Sequence, residues 1–214
     1  MVATPAHDMV VLMNVGGHAG AVACHLRASA PEIARKSRPG QFVLLRVTEE
    51  GERIPLTVAH ADAVAGTIDL IVQQIGLTTQ LLCKRKAGDA LASITGPLGN
   101  PTPIGEAKQV LCVGGGVGTA VLLPQVEFLS NQALQPGVAV DVIIGGRSKP
   151  YVICEDILRA QARNTWVCTD DGSYGEKGFV TTRPKALLEL PGAGGYDLVI
   201  AVGPPGMMRA DTGG

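Results

Sequence analysis

Four short stretches of this 214-residue sequence could do chemistry, and each directly follows an apolar run. Gly114, Gly115, Gly116, Val117 and Gly118 come after Val113, and Gly145-Gly146-Arg147 after Ile144. Asp170-Asp171-Gly172-Ser173 closely follow Cys168, and Gly203-Pro204-Pro205 come after Val202. Residues without a Cβ let main chain approach a pyrophosphate closely, and a helix starting at Thr119 would aim unpaired N–H groups at the same anion. The spacing departs from G-x-G-x-x-G, so this is not the ordinary Rossmann fingerprint. Asp170 and Asp171 can accept hydrogen bonds from ribose hydroxyls and repel a 2′-phosphate, a preference for NADH over NADPH, although either carboxylate can equally cap the turn at Gly172. Arg147 either neutralises a phosphate or is a surface charge beside Lys149. One glycine-rich turn is weak support for a ligand. Four at one sheet edge, where open parallel sheets bind ligands, are a constellation.

The first half carries a second set. Arg53-Ile54-Pro55-Leu56-Thr57 puts a guanidinium at the start of a strand and a hydroxyl further along it, so one strand could offer a bidentate phosphate donor and a hydrogen bond to an isoalloxazine edge. From spacing alone, an exposed arginine on a proline-stiffened edge strand explains it as well. Gly76-Leu77-Thr78-Thr79 opens a short helix whose threonines are natural N-caps, and the same helix end could hold a phosphate. His7, His18, His25 and His60 lie far apart and read as surface or locally satisfied side chains. Ser173 lacks a nucleophile elbow, so hydrolysis has no visible machinery.

The elements that must position these residues change character along the chain. Residues 41–47, 68–74 and 90–95 read as short strands punctuated by glycine and proline, with a single short helix over 78–84, which predicts a small antiparallel barrel. Beyond residue 104, strands over 110–113, 138–144, 165–168 and 197–202 alternate with helices over 119–131, 153–163 and 183–188, the pattern of a parallel sheet with crossover helices. The expected architecture is therefore a two-domain β plus α/β chain: an N-terminal antiparallel flavin-binding β-barrel over 1–104 and a parallel-sheet nucleotide-binding domain over 105–214.

A net charge of -1 and 3% aromatic residues argue against a nucleic-acid partner. The basic cluster Lys84 to Lys86 reads as a solvated helix end. With no apolar run of membrane-spanning length and no leader pattern in residues 1–30, the expectation is a cytoplasmic protein without membrane insertion. Five widely spaced cysteines fit neither a disulfide framework nor a metal cluster, and are expected to be thiols. Cys112 and Cys168, inside apolar runs, would be small buried hydrophobes.

Taken in order, APEIARKSRPGQF at 30–42, ERIPLT at 52–57, GLTT at 76–79, GPLG at 96–99, VGGGVGTA at 113–120, GGR at 145–147, TDDGSYG at 169–175, KGFVT at 177–181 and GPPGMM at 203–208 resemble the ferredoxin-NADP reductase superfamily. The likeness is to the branch of dihydroorotate dehydrogenase electron-transfer subunits and the small subunit of NADH-dependent ferredoxin:NADP oxidoreductase. The resemblance implies FAD held by Arg53, Pro55, Leu56 and Thr57, with its pyrophosphate at Gly76, Thr78 and Thr79. It implies NAD(H) at Gly114 to Gly118, Asp170 and Asp171, with Gly203, Pro204 and Pro205 close to the nicotinamide. The flavin N5 is itself the hydride acceptor, so no side-chain acid or base is expected. Electrons would leave toward a second redox flavoprotein or an iron-sulfur subunit. Residues 1–28 do not look like the family's usual opening strand. Relatives also continue past GPPxMM into a cysteine-rich tail binding a 2Fe-2S cluster, so no iron-sulfur cluster is expected in this chain. That ending leaves two alternatives, a truncated non-catalytic assembly module and a stand-alone flavin-dependent NAD(P)H reductase.

Overall fold

The computed structural model describes residues 2–3, 11–15, 23–180 and 195–204. The chain divides into two compact units, 1–102 and 103–214.

The described residues of the first unit form eight strands: β1 (Val2–Ala3), β2 (Val11–Val15), β3 (Ala23–Ser29), β4 (Phe42–Arg46), β5 (Arg53–Thr57), β6 (His60–Asp62), β7 (Thr67–Gln73) and β8 (Ser93–Leu98). They form two four-stranded antiparallel sheets, ordered β1-β8-β4-β5 and β2-β3-β7-β6. Side chains alternate across each strand. Cys24, Leu26 and Ala28 of β3, Ile68, Leu70 and Val72 of β7, Val43 and Leu45 of β4 and Ile94 of β8 thus enter one shared core, and the two sheets close around it. Residues 1–28, whose sequence does not look like the family's usual opening strand, hold β1, β2 and most of β3 among the described residues. Strand β3 is hard to read in sequence because polar His25 and Arg27 interleave with small Cys24 and Ala28.

Among the described residues this unit has two helices, not the single one expected. Helix α1 (Pro31–Lys36) has proline in its first turn, Glu32 near its positive end and Arg35 and Lys36 at its negative end. Glu32 pairs with Arg35, while Ile33 and Ala34 face the core. Helix α2 (Leu77–Cys83) buries Leu82 and Cys83. Cys83 is joined to Cys24 of β3 in a disulfide, which corrects the all-thiol expectation. Fifty-nine residues separate the pair, and only burial of both against one core brings them together. Cys112, Cys154 and Cys168 are unbridged. Burial pushes the Cys112 thiol up to about 12, in keeping with its reading as a small hydrophobe.

On the outer face of the second sheet Arg27 lies opposite Asp69, and its guanidinium grips that carboxylate through Nε at 2.6 Å and Nη2 at 2.7 Å. His25 Nε2 completes the cluster at 3.0 Å. Asp69 is 4% exposed, and burial alone would raise its pKa. The bonds from Arg27 and His25 outweigh burial and hold it down at about 2.

The second unit holds a five-stranded parallel sheet: β9 (Gln109–Gly115), β10 (Ala139–Gly146), β11 (Asn164–Thr169), β12 (Glu176–Lys177) and β13 (Leu198–Val202), ordered β12-β11-β10-β9-β13. Strands β9 and β10 are buried on both faces, hence their continuous apolar runs. Helices α3 (Thr119–Ser130) and α4 (Glu155–Gln161) follow β9 and β10. Helix α4 is shorter than expected because Cys154, at its N-cap, has φ of 62°, and a 3-10 turn over Lys149–Tyr151 precedes it. The helix expected over 183–188 lies outside the described residues.

A polar clamp ties the amino ends of these strands. Asp141, 2% exposed, accepts bonds from both arms of the Arg163 guanidinium, from Asn164 Nδ2 at 2.9 Å and from the Tyr196 hydroxyl at 2.8 Å. Asp197 Oδ2 accepts the backbone N–H groups of Lys108 and Gln109. Burial pushes the Tyr196 hydroxyl up to about 12, reinforced by Asp141, while the donors around Asp141 hold its carboxyl below the usual range against the opposing effect of burial.

Candidate functional site

The strand order decides where a ligand can sit. From β9 the chain steps outward through β10, β11 and β12, and β13 then pairs with the opposite side of β9. Beyond β9 the crossovers therefore part to the two sides, and in open α/β sheets the crevice at such a switch point takes the ligand.

The glycine cluster lies at that point. Gly114 and Gly115 end β9, Gly116–Gly118 make a 3-10 turn, and α3 begins at Thr119. The glycines have different reasons to lack a side chain. A Cβ on Gly114 would lie 2.8 Å from Leu122 Cδ1 and 3.0 Å from Thr119 Cα, so its absence lets α3 pack onto β9. A Cβ on Gly118 would lie 2.7 Å from the Val202 carbonyl oxygen, so its absence lets the end of β13 pass the turn. Gly116 has φ of +55° and no atom within 4 Å of where its Cβ would be. Its main chain thus faces open space beside the start of a 12-residue helix, a cradle a pyrophosphate fits and a side chain would fill.

The ends of β10 and β11 are wired together. The N–H of Asp170 donates to the Gly146 carbonyl at 3.1 Å and that of Asp171 to the Arg147 carbonyl at 3.3 Å. Thr169, fully buried, donates its hydroxyl to the Tyr174 carbonyl at 2.6 Å and accepts the Tyr174 N–H at 3.0 Å. Asp171 Oδ1 accepts the Ser173 N–H at 2.9 Å, and Ser173 Oγ accepts the Lys149 N–H at 2.9 Å. Ser173, through its hydroxyl and then its N–H, holds the Asp171 carboxyl below its ordinary range. Arg147 is exposed with its guanidinium 4.7 Å from the Tyr151 ring centre, and Lys149 Nζ sits 5.0 Å from that of Tyr174. Tyr174 donates its hydroxyl to Glu155 at 3.1 Å. Thr169 and Tyr174 went unread as site-shaping residues, although both stand inside the TDDGSYG stretch. Gly203 and Pro204 follow β13 at the same edge; Pro205 lies outside the described residues.

In the first unit, β5 is an edge strand paired with β4 in the register Leu44↔Pro55 and Val43↔Leu56. Ile54 and Leu56 pack against the core, so the side chains of Arg53, Pro55 and Thr57 share the opposite face. Arg53 is exposed, as a donor to an anionic ligand must be. The N-cap of α2 is Gly76, not a threonine, because Thr79 points back: its Oγ1 accepts the Gly76 N–H at 3.0 Å and that of Ile75 at 3.2 Å. Thr78 donates its hydroxyl to Glu52 Oε1 at 2.7 Å, which ties the start of α2 to the residue before β5. The two flavin segments read from sequence are therefore neighbours. Glu52, the link, stands in ERIPLT but carried no assigned role.

Among known proteins, a Clostridium beijerinckii protein is 41% identical over 187 residues, and a Thermotoga maritima dihydroorotate dehydrogenase B (NAD(+)) electron transfer subunit homolog is 40% identical over 183. They match 84% and 86% of this chain, which spans 62% of the length of each. A Geobacillus dihydroorotate dehydrogenase B (NAD(+)) electron transfer subunit is 33% identical over 193 residues, with 86% of this chain and 70% of that protein covered. The chain belongs to the dihydroorotate dehydrogenase B electron-transfer subunit family. That family falls in the ferredoxin-NADP reductase superfamily, as the sequence motifs imply. The solved structure of an NADH-dependent reduced ferredoxin-NADP oxidoreductase, described in work on flavin-based electron bifurcation, aligns with a TM-score of 0.81 at 36% identity, over 94% of this chain and 69% of that one. The cytochrome b5 reductase domain of Ulva prolifera nitrate reductase shares the fold, with a TM-score of 0.71 at 18% identity over 94% of this chain and 88% of that domain. No protein-family model matches. Among the described residues, no helix is long and apolar enough to cross a membrane, and no group of three or more His, Cys, Asp or Glu is placed to hold a metal ion.

Proposed function

We propose that this chain is an electron-transfer flavoprotein subunit that takes reducing equivalents from NADH, holds them on FAD and passes them to a second flavoprotein or iron-sulfur subunit. The carrying observation is the glycine turn Gly114 to Gly118 at the β9 switch point, with Gly116 open to a ligand, in a chain related to electron-transfer subunits of NAD-dependent enzymes.

In this reading Arg53 and the start of α2 with Gly76, Thr78 and Thr79 hold the FAD phosphates, while Pro55, Leu56 and Thr57 line the isoalloxazine. Leu56 contributes through its backbone, since its side chain serves the core. Gly114 to Gly118 hold the dinucleotide phosphates, Arg147, Asp170 and Asp171 its ribose end, and Gly203, Pro204 and Pro205 flank the nicotinamide. A bound flavin supplies the hydride acceptor. The residues of the chain bind and orient, and none moves a proton.

Reconstitution of the full chain with FAD followed by anaerobic NADH tests the proposal. Yellow absorbance retained through gel filtration and bleached by NADH is the expected result. A protein that retains no flavin, or one whose bound flavin NADH leaves oxidised, refutes it.

A further inference from the structure

Among the described residues of the first unit, three of the four exposed large apolar side chains, Ile75, Leu77 and Leu81, lie on α2 or just before it. We propose that the outward face of α2 docks a second copy of this chain, with the two α2 helices antiparallel about a twofold axis.

Helical geometry defines that face. Positions i, i+3, i+4 and i+7 share one side of a helix, and Leu77, Gln80, Leu81 and Lys84 are all exposed, whereas Leu82 and Cys83 turn the other way into the core. The solvent side of a surface helix is ordinarily polar. Here Leu77 is 74% exposed and Leu81 41%. The helix is also a stiff platform, since Cys83 is bonded to Cys24 at one end and Thr78 donates its hydroxyl to Glu52 at the other. A face already held in place loses little freedom on docking. The flavin contacts proposed above use Gly76, Thr78 and Thr79, and the apolar stripe uses none of them.

The charges choose the occupant. The Thr78 bond fixes exposed Glu52 at the first turn of α2, with exposed Glu50 two residues before it, while exposed Lys84 and Lys86 follow the last turn. The surface therefore runs from acid through leucine to base. A twofold axis between Leu77 and Leu81 reverses that order in the second copy, so each Lys84 meets the other's acidic end and the leucines meet between them. Parallel docking would instead set like charges together. A single short helix offers less than the roughly 800 Å² per partner of a standard interface, so the dimer forms only as concentration rises.

Sedimentation velocity of the full chain with FAD added, over about 1 to 300 μM protein, tests the proposal. Wild type should pass from monomer to dimer across that range, and should need more protein to do so at high salt. Leu81→Asp should weaken the dimer at least about tenfold, with a wild-type melting temperature at low concentration because the side chain is exposed. Lys84→Glu and Glu52→Lys each bring like charges together and should weaken it comparably, whereas the double variant, with the pair exchanged, should recover it. A wild type that stays monomeric throughout overturns the proposal and leaves the stripe to a different polypeptide. A dimer indifferent to Leu81→Asp overturns it too, as does a double variant no more dimeric than its single parents.

Discussion

Gly118→Ala isolates the close approach between the glycine turn and β13. The native backbone at 118 is ordinary right-handed helix, φ -55° and ψ -25°, so alanine meets no conformational strain. By the unfolded-state argument it should even stabilise the unit, by about 0.4–1 kcal/mol. Packing opposes this. The new methyl carbon would lie 2.7 Å from the Val202 carbonyl oxygen and 3.0 Å from Val202 C and Gly203 Cα. All three obstacles are main chain, so no rotamer change relieves them, and either the start of α3 or the end of β13 must shift. Overpacking of this kind costs about 1–3 kcal/mol. The packing cost wins, and the expected net loss is about 1–2 kcal/mol, a fall of roughly 5–10 °C in melting temperature for a unit of this size. The shift also displaces the N–H groups after β9, so NADH affinity should fall with stability. Thermal melts monitored at Trp166, in the second unit, with NADH titration of the same samples, measure both. A melting temperature equal to or above that of wild type, with unchanged NADH affinity, would refute the claim that β13 dictates glycine at 118.

Further expectations concern the frame around the sites. Asp69, held at about 2 against an ordinary value near 3.9, should contribute about 2 kcal/mol at neutral pH after discounting Arg27's partial exposure. Because the folded value is the lower one, this stabilisation is complete above about pH 5 and disappears as pH falls from about 4 through 2. Urea titrations should therefore show wild type and Asp69→Asn converging between pH 5 and pH 2, and a gap constant over that range contradicts the assignment. Thiol titration of the denatured, unreduced protein should give three groups, rising to five after reduction, and Cys83→Ala should cost the first unit about 2–4 kcal/mol. Asp141→Ala, which strips the acceptor from Arg163, Asn164 and Tyr196, should cost about 3 kcal/mol in chemical denaturation yet leave NADH affinity at low temperature unchanged.

Much of the second unit was legible because its strands are buried on both faces and read as unbroken apolar runs. Their ends were not, since β9 runs on through Gly115 and β10 through Gly146, and a glycine that continues a ladder looks in sequence like one that ends it. In the first unit β4, β5 and β7 announced themselves through alternation and flanking turns, whereas β3 hid behind its small and charged residues. Helix α1 carried its own signals, Pro31 and Glu32 at one end and Arg35 and Lys36 at the other, within a stretch read only as a motif. The disulfide was invisible because linear distance between cysteines says nothing of what a shared core brings together. Of the site, the sequence displayed the residue types but not their division of labour: why Gly116 and Gly118 lack side chains for opposite reasons, or that Thr78 donates to Glu52 instead of capping α2, follows only from what each one meets in space.

The polar clamp around Asp141 has an evolutionary consequence. It fastens β9, β10, β11 and the approach to β13 at the end of the sheet remote from the glycine turn. Loops at the far end can then drift, lengthen or exchange charge while the scaffold stays assembled. Such a division lets the residues at the glycine edge change without first inventing a new way to fold.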